Sequence, residues 1–544
     1  MVNEVKESLS YSTSKLLFIA TAVFAIATLV IGKTPLMDHS GALLVCAFTA
    51  LLALALRYSP IELKPHVLAI AWFAIVFFLP RLFTFATFPP QTLGAIGLEH
   101  LTPDQVTKGM AFVTIGTMAL LFGLWIGNLP FSKKPLLNEK PSRLKSLPLG
   151  PILLYWIAAL AASYYISIVL EISIFGPPEN WGSRSGWLMR IFDTDVALLL
   201  LLVWTAVQLT RSKPNYWLIA GLLIIWLFVS MYLGSRGGPL RILFLLGLAS
   251  IALHGDPRVG LRRLILIVSL TFVANALVYP LSSAIRYGIG GVENAGEQLV
   301  ADWQRNPHPP SYDPVQFTPV QRILWNNQTI IHGARLVTPI TTRLGVIDYP
   351  LIIVNRPPDQ EVIDRYLSLG YALRNYANNM VPGELFPDND VMTSRVFTMA
   401  YRGATESHIR QAFLSEPWTS WGYAWIKGGA IGGLFILAAL AAVSQFGYRL
   451  MGQILPSAVA PYVLTTWLFV GSLNGPLQLF GIDHWLTVAS HVFMALTVAG
   501  VLGWITSRSL GKLGLTSAFW VLQSHRARKS PANSESMASQ DGTS

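Results

Sequence analysis

The sequence predicts an all-α protein that crosses a membrane many times, and three observations support this fold class. Hydrophobic residues make up 53% of the 544 residues and charged residues only 12%, with a mean hydropathy of +0.50. This composition lies outside the range of soluble globular proteins. Apolar runs long enough to cross a bilayer of about 30 Å recur along the chain. Between these runs, Lys and Arg are distributed in the way that membrane topology requires.

Twelve such runs predict about twelve transmembrane helices. They centre on 16–32, 41–56, 66–87, 109–128, 149–170, 194–210, 216–233, 238–254, 264–284, 424–444, 457–475 and 485–505. The single cysteine, Cys46, lies inside the second run, so the sequence offers neither a disulfide framework nor a cysteine metal site.

The basic residues in the short connectors predict the orientation of the spans. The strongest signal is the run Lys133, Lys134, Lys140, Arg143 and Lys145 after the fourth span, because cytoplasmic loops accumulate Lys and Arg. Threading the spans from this connector places both termini in the cytoplasm. That side then holds 20 of the 39 basic residues but 7 of the 28 acidic ones. The net charge of +11 therefore reflects topology, and nucleic acid is not a predicted partner.

On this threading the chain has four parts. Residues 1–284 form the first nine spans, 285–423 a large external segment, 424–507 the last three spans, and 508–544 a basic and then disordered cytoplasmic tail. Periodicity predicts that the external segment is mainly helical, with helices at Glu293–Asn306, Gln321–Leu344 and Pro358–Asn379.

The external segment has an unusual choice of basic residue. Eleven arginines and no lysine lie between Arg286 and Arg410, and only Lys33, Lys108 and Lys427 of the thirteen lysines fall on the external side. A planar guanidinium makes paired hydrogen bonds to phosphate or carboxylate. Two interpretations stay open: the arginines bind an anionic substrate, or they pair with the thirteen acidic residues of the same segment.

The sharpest local pattern runs from Gly234 to Arg241, between two apolar runs on the external side. Ser235 is a suitable N-cap and Gly237 lets a ligand approach the backbone. A helix start beside Arg236 and Arg241 is a candidate phosphate or diphosphate site. The alternative is a tight helical hairpin whose arginines extend to lipid headgroups.

Two further arginines lie at the ends of spans. Arg286 closes the ninth span and is predicted at the same membrane level as Arg236. Arg81, after Pro80 in the third span, is a weaker candidate of the same kind. Ionisable groups at membrane depth are costly and are therefore functional candidates.

The last candidate cluster precedes the glycine-rich start of the tenth span. It contains Arg402, His408, Arg410 and Glu416. A His or a carboxylate beside arginines can act as a general base for a sugar hydroxyl. His408 as a solvated loop residue is the alternative interpretation.

In these residues the chain resembles the bacterial oligosaccharide repeat-unit polymerases of the O-antigen (Wzy) type. The resemblance covers the layout of spans, the long external segment, the break at Gly234–Gly237, Arg286 at the end of the span before that segment, and the stretch 406–433. It implies a membrane glycosyltransferase of the C type in the bacterial cytoplasmic membrane, with the large segment in the periplasm or outside the cell.

The same resemblance implies roles for the candidate residues. Arg236, Arg241, Arg286, Arg402 and Arg410, with Ser235 and Gly237, would bind the diphosphate or glycan of an undecaprenyl-diphosphate-linked oligosaccharide, and Glu416 or His408 would accept the proton of the acceptor hydroxyl. No metal or other cofactor is implied. Besides the lipid bilayer, a chain-length regulator and a flippase are expected partners. An O-antigen ligase and a polysaccharide flippase or transporter are the alternative functions.

Overall fold

The computed structural model describes residues 2–88, 101–131, 149–169, 318–327, 346–380, 393–403 and 419–455, with short pieces near 196, 386 and 495. Every element in these residues is helical. Five helices are long and apolar enough to cross a membrane: Ser10–Ile31, His39–Tyr58, Lys64–Thr87, Pro103–Phe131 and Ser420–Ile454. They coincide with five of the predicted spans, so an α-helical membrane protein is confirmed. Six other predicted spans lie wholly or largely outside the described residues.

The described α-helices follow the chain in this order. They are α1 (Val2–Ile31), α2 (His39–Tyr58), α3 (Lys64–Phe73), α4 (Leu79–Thr87), α5 (Pro103–Asn128), α6 (Leu149–Tyr164), α7 (Pro319–Trp325), α8 (Asp348–Asn355), α9 (Gln360–Tyr366), α10 (Leu369–Met380), α11 (Thr393–Arg402) and α12 (Ser420–Ile454). The span predicted at 149–170 corresponds to α6 and the π-helical turn Tyr165–Val169 that follows it.

Small polar side chains join α1 to α2 inside the bundle. The Ser14 hydroxyl donates to the Ala53 carbonyl at 2.9 Å, and the hydroxyls of Thr21 and Thr49 lie 2.7 Å apart. Small residues let membrane helices approach closely, and their hydroxyls can bond across the contact. These pairs explain why α1 and α2 form a tight hairpin.

The third span is interrupted near its middle. A π-helical turn, Ala74–Phe78, separates α3 from α4, and the Leu79 N–H donates to the Ala74 carbonyl five residues earlier. Pro80 has no N–H to continue the α-helical pattern, and a π-helical turn accommodates such an interruption. Arg81 follows directly and is fully buried inside the bundle.

Helices α5 and α12 pack on each other more extensively than any other described pair. A side chain at Gly123 would collide with the carbonyl of Ala438, and one at Gly127 with the carbonyl of Ala442. Close backbone approach through glycine is typical of membrane helix pairs. This contact joins the fourth predicted span to the tenth, although the two are about 300 residues apart in the sequence.

Helix α12 is broken at one glycine. Gly429 has φ 62° and ψ −153°, a backbone conformation that essentially only glycine adopts. The break divides α12 into an upper helix, Ser420–Gly428, and a longer lower helix, Ala430–Ile454. The upper helix begins at Thr419, whose hydroxyl accepts a hydrogen bond from the Gly422 N–H at 3.0 Å.

The helices predicted in the external segment differ from those observed. The helix predicted at Gln321–Leu344 begins earlier, at Pro319, and is interrupted after Trp325, where the Asn327 side chain accepts from the Thr329 N–H at 2.9 Å. Most of its remainder, residues 330–344, lies outside the described residues. The helix predicted at Pro358–Asn379 is divided into α9 and α10, because the Ser368 hydroxyl accepts from the Tyr371 N–H at 3.1 Å and starts a new helix. The predicted helix Glu293–Asn306 lies outside the described residues.

Candidate functional site

Helix α7 packs against one end of the bundle. The Thr318 hydroxyl donates to the Ile31 carbonyl at 3.3 Å, and the Trp325 indole N–H donates to the Thr87 carbonyl at 3.2 Å. We call this end of the bundle, which also carries α8, the loop end. The other end, at the connector Ser59–Leu63, is called the opposite end. Threading places the ends of the first and third spans, at Ile31 and Thr87, on the same side of the membrane as the large segment. The contacts of α7 with both residues agree with this arrangement.

A buried ion pair joins the large segment to the third span. Arg81 Nε lies 3.2 and 3.1 Å from the two carboxylate oxygens of Asp348, and Arg81 Nη2 lies 3.0 Å from Oδ2. Both side chains are buried, and the guanidinium also lies 5.0 Å from the centre of the Phe85 ring. Removing one partner of such a pair strands a buried charge. Arg81, a candidate substrate contact by sequence, is therefore a structural partner of Asp348.

Burial also changes the acidity of two groups in the large segment. It raises the pKa of Asp348 to about 6, against the opposing effect of the Arg81 charge and hydrogen bonds. It raises the pKa of the Tyr401 phenol well above its ordinary value. The contacts to Arg81 nevertheless commit the Asp348 carboxylate to an ion pair. Tyr401 is a neutral phenol that does not act as a base.

Helix α8 is inserted between α5 and α12. Its side chains occupy spaces left by glycines: Leu351 lies where a side chain at Gly109 would be, and Ile353 where one at Gly422 would be. The Asn355 amide donates to the Gln105 carbonyl at 2.7 Å and closes the contact at the end of the helix. The insertion places an apolar piece of the large segment among the spans.

Helices α9 and α11 form a second layer above α8. The Asp359 N–H donates to the Ala400 carbonyl at 2.9 Å. The Phe397 ring meets the Tyr349 ring edge-on at 4.9 Å and stacks on the Tyr401 ring at 4.8 Å. These contacts fix α11, which ends at Arg402 and is followed by Gly403 with φ 65°, a usual glycine C-cap.

The upper helix of α12 is anchored equally well. Trp421 is fully buried, with its ring 5.3 Å from that of Phe78 and 6.3 Å from that of Phe73. Residues 404–418, which include the predicted catalytic His408 and Glu416, connect the end of α11 at Gly403 to the buried Thr419 at the start of α12. The ends of this connection lie at the loop end of the bundle.

Among the described residues of the large segment, three arginines are exposed to solvent. Arg322, Arg365 and Arg374 make no ion pair with any carboxylate in the part of the chain that the structure describes. The Arg365 guanidinium lies 5.0 Å from the Tyr366 ring, and Arg374 Nε donates to the Gly370 carbonyl at 3.2 Å. Within the described residues, the guanidinium groups of these three arginines are therefore left to solvent and to their own helices.

The opposite end holds a buried polar cluster that sequence reasoning missed. Arg449 Nη2 donates to the Phe131 carbonyl at 2.8 Å, and Gln445 Nε2 lies 3.3 Å from the Asn128 side-chain oxygen. His66 Nε2 lies 3.3 Å from the Ser444 hydroxyl. The signal was available, because Gln445 and Arg449 follow directly on the apolar run 424–444 and are four residues apart, which places them on one face if the helix continues.

Most of the predicted site residues lie outside the described residues. This applies to Ser235, Arg236, Gly237, Arg241, Arg286, His408, Arg410 and Glu416. Arg402 is described only by its backbone, as the last residue of α11. Within the described ranges, no three His, Cys, Asp or Glu side chains come together as a metal site.

No protein-family model matches the chain, and neither a characterised protein nor a solved structure matches it.

Proposed function

We propose that this protein is an oligosaccharide repeat-unit polymerase of the bacterial cytoplasmic membrane. It would be a metal-independent glycosyltransferase of the C type, with about twelve spans, both termini in the cytoplasm and the loop end outside. The exposed arginines of the large segment carry this proposal, because Arg322, Arg365 and Arg374 present guanidinium groups at the loop end without an ion pair in the described residues. Guanidinium groups suit the phosphates of a lipid-linked sugar donor.

The proposed reaction joins two lipid-linked repeats. A hydroxyl of the terminal sugar on one repeat attacks the anomeric carbon of the other, the bond from that carbon to the diphosphate breaks, and undecaprenyl diphosphate leaves. Glu416 or His408 takes the hydroxyl proton. Arg236 and Arg286 hold the diphosphate and stabilise the charge that grows on it, which speeds the reaction only if they bind the transition state more tightly than the ground state.

The anchoring of the loop end supports this assignment. Buried contacts fix α11 before residues 404–418 and the upper helix of α12 after them, so both ends of this connection lie near the ends of the spans. Positioning of this kind is a large part of catalysis, because it converts a bimolecular encounter into a step within one complex. The lipid diphosphate of the donor lies at the same membrane level.

An O-antigen ligase is the second candidate. It would use the same lipid-linked donor and transfer the glycan to lipid A core sugar, and Arg402, His408 and Arg410 fit such an enzyme as well. A flippase or transporter is less well supported. Such proteins place polar groups at mid-membrane in broken helices, whereas the candidate site residues of the sequence are predicted at the outer face.

The proposed diphosphate site is tested with Arg236→Ala and Arg286→Ala in a strain that lacks the chromosomal copy. We expect both variants to insert into the membrane at normal levels but to make no polymer, as read from the chain-length distribution of the cell-surface glycan. A wild-type distribution from both variants would exclude the diphosphate site at these residues.

Arg236→Lys separates geometry from charge at the same position. It keeps the positive charge but loses the planar fork, so we expect it to remain clearly impaired. Full activity of Arg236→Lys would mean that charge alone is required there.

A further inference from the structure

Helix α10 of the large segment exposes apolar side chains along one face. Leu369 and Leu373 are 61% and 45% exposed, and they share a helix face because they are four residues apart. Tyr376 continues this face three residues later. Tyr371 lies on the opposite side of α10, where its buried ring meets the Tyr366 ring edge-on at 5.3 Å. The face of Leu369, Leu373 and Tyr376, which we call the apolar stripe, therefore points away from the contact that holds α10 in the fold.

The contact of Tyr376 indicates the depth of this stripe in the membrane. The Tyr376 hydroxyl lies 2.9 Å from the Ser490 hydroxyl. Ser490 is the sixth residue of the apolar run 485–505, the last predicted span. At a rise of about 1.5 Å per residue, it lies about 8 Å inside the external end of that span. A helix that lies in the membrane surface buries its apolar face to about 5–10 Å, so the stripe is at the depth expected for such a helix.

Two further observations place α9 and α10 against the spans. The Asp364 carboxylate of α9 interacts electrostatically with Lys427, which lies in the upper helix of the membrane-spanning α12. Phe493 follows Ser490 by three residues, so it lies on the same face of the last predicted span, and it is 72% exposed. An apolar surface left open on a spanning helix meets lipid. The apolar stripe of α10 therefore continues a lipid-facing surface of the last span.

The polar side of α10 suits the lipid headgroups. Arg374 follows Leu373 directly, is exposed, and is the one charged residue in the α10 sequence. Arg374 Nε donates to the Gly370 carbonyl at 3.2 Å, which keeps the guanidinium beside the helix. An apolar face bordered by arginine is typical of a helix that lies in the plane of the membrane, where the basic group meets lipid phosphates.

We propose that α10 lies in the surface of the membrane leaflet at the loop end and holds the large segment against the bilayer. Leu369 and Leu373 enter the acyl chains of the phospholipids, and Arg374 lies at the level of their phosphates. Lipid contact removes the two leucines from water, which is favourable in proportion to the apolar area covered. The placement does not depend on the polymerase assignment, although it would keep the large segment close to a lipid-linked substrate.

The test measures which quencher reaches a fluorescent label on α10 in the full-length chain. The single cysteine is first replaced by Cys46→Ser, and one cysteine is then introduced by Leu369→Cys, Leu373→Cys or Arg374→Cys. Each variant is labelled with an environment-sensitive fluorophore in nanodiscs of phosphatidylcholine and phosphatidylglycerol, whose two faces are both open to solvent. Quenching by lipid with a doxyl group near the top of its acyl chain is compared with quenching by iodide. Arg374→Cys is the matched control, because this exposed position is next to Leu373 but off the stripe.

We expect the doxyl lipid to quench the labels at Leu369 and Leu373 about threefold more strongly than the label at Arg374, because only the stripe enters the acyl chains. Iodide should show the reverse order. The two stripe positions are independent readings of one face, so a folding defect in one variant leaves the other as a test.

Iodide quenching that is equally strong at all three positions, without quenching by the doxyl lipid, would place the stripe in water and overturn the proposal. Stripe labels that neither quencher reaches would mean that protein, such as a second copy of this chain, covers the leucines. Equal quenching by the doxyl lipid at all three positions would also contradict a helix that lies in the membrane surface with one face in water.

Discussion

The two ends of the helix bundle use arginine differently. At the opposite end, Arg449 is buried and donates to the Phe131 carbonyl. At the loop end, Arg81 is buried against the Asp348 carboxylate, but Arg365 and Arg374 are exposed on helices that pack above it. The residue type alone therefore does not identify a substrate contact. Burial and partner separate arginines that fasten helices from arginines that are available to a ligand.

The largest effect is expected from breaking the ion pair at the loop end. Asp348→Ala leaves the Arg81 guanidinium buried without its carboxylate, and we expect the free energy of unfolding to fall by about 3–5 kcal/mol. The measurement is the thermal unfolding midpoint of the purified protein in detergent. In the double variant Arg81→Met, Asp348→Leu both charges are absent, so most of the stability should return. A double variant as unstable as Asp348→Ala would show that the pair is not the cause.

A smaller effect is expected from the buried arginine at the opposite end. Arg449→Met removes the hydrogen bond to the Phe131 carbonyl. The Glu62 carboxylate, which interacts electrostatically with Arg449, is only half-buried and can be solvated. The expected loss is about 1–3 kcal/mol, the cost of an unsatisfied buried acceptor. The same unfolding assay provides the comparison. A loss equal to that of Asp348→Ala would remove the distinction between the two ends.

The smallest effect on stability is expected at an exposed loop-end arginine. Arg374→Gln removes no ion pair within the described residues, so its unfolding free energy should stay within about 0.5 kcal/mol of the wild type. Glycan polymerisation by cells that carry this variant is measured in parallel. A marked loss of stability would mean that Arg374 fastens the fold in the way Arg81 does.

The spans were predictable because their signal is local and strong. Apolar runs such as 41–56 and 109–128 need no tertiary information, since hydrocarbon forces the backbone to satisfy its own hydrogen bonds. The short helices of the large segment were less predictable. Their ends are set by single side chains such as Ser368 and Asn327, which accept hydrogen bonds from nearby backbone N–H groups. Such a local hydrogen bond leaves the hydrophobic periodicity unchanged, so the periodicity does not predict where the helix ends.

The pairing of Arg81 with Asp348 was beyond the reach of the sequence. The two residues are 267 positions apart, and their contact depends on the insertion of α8 between α5 and α12. The same holds for Lys108 and Trp425, which the close packing of those two spans brings together. By contrast, the preference for arginine over lysine in the large segment is visible in the sequence, and its consequences became clear only when individual arginines were seen as buried or exposed.

The most direct test of the proposed function is the glycan profile of a strain in which this gene is deleted. A repeat-unit polymerase predicts that single repeats remain attached to undecaprenyl diphosphate and appear singly on the final acceptor, and that wild-type protein restores long chains. Long chains that persist in the deletion strain, or lipid-linked polymer that accumulates with no repeat reaching the acceptor, would contradict the polymerase. The second result would identify a ligase instead.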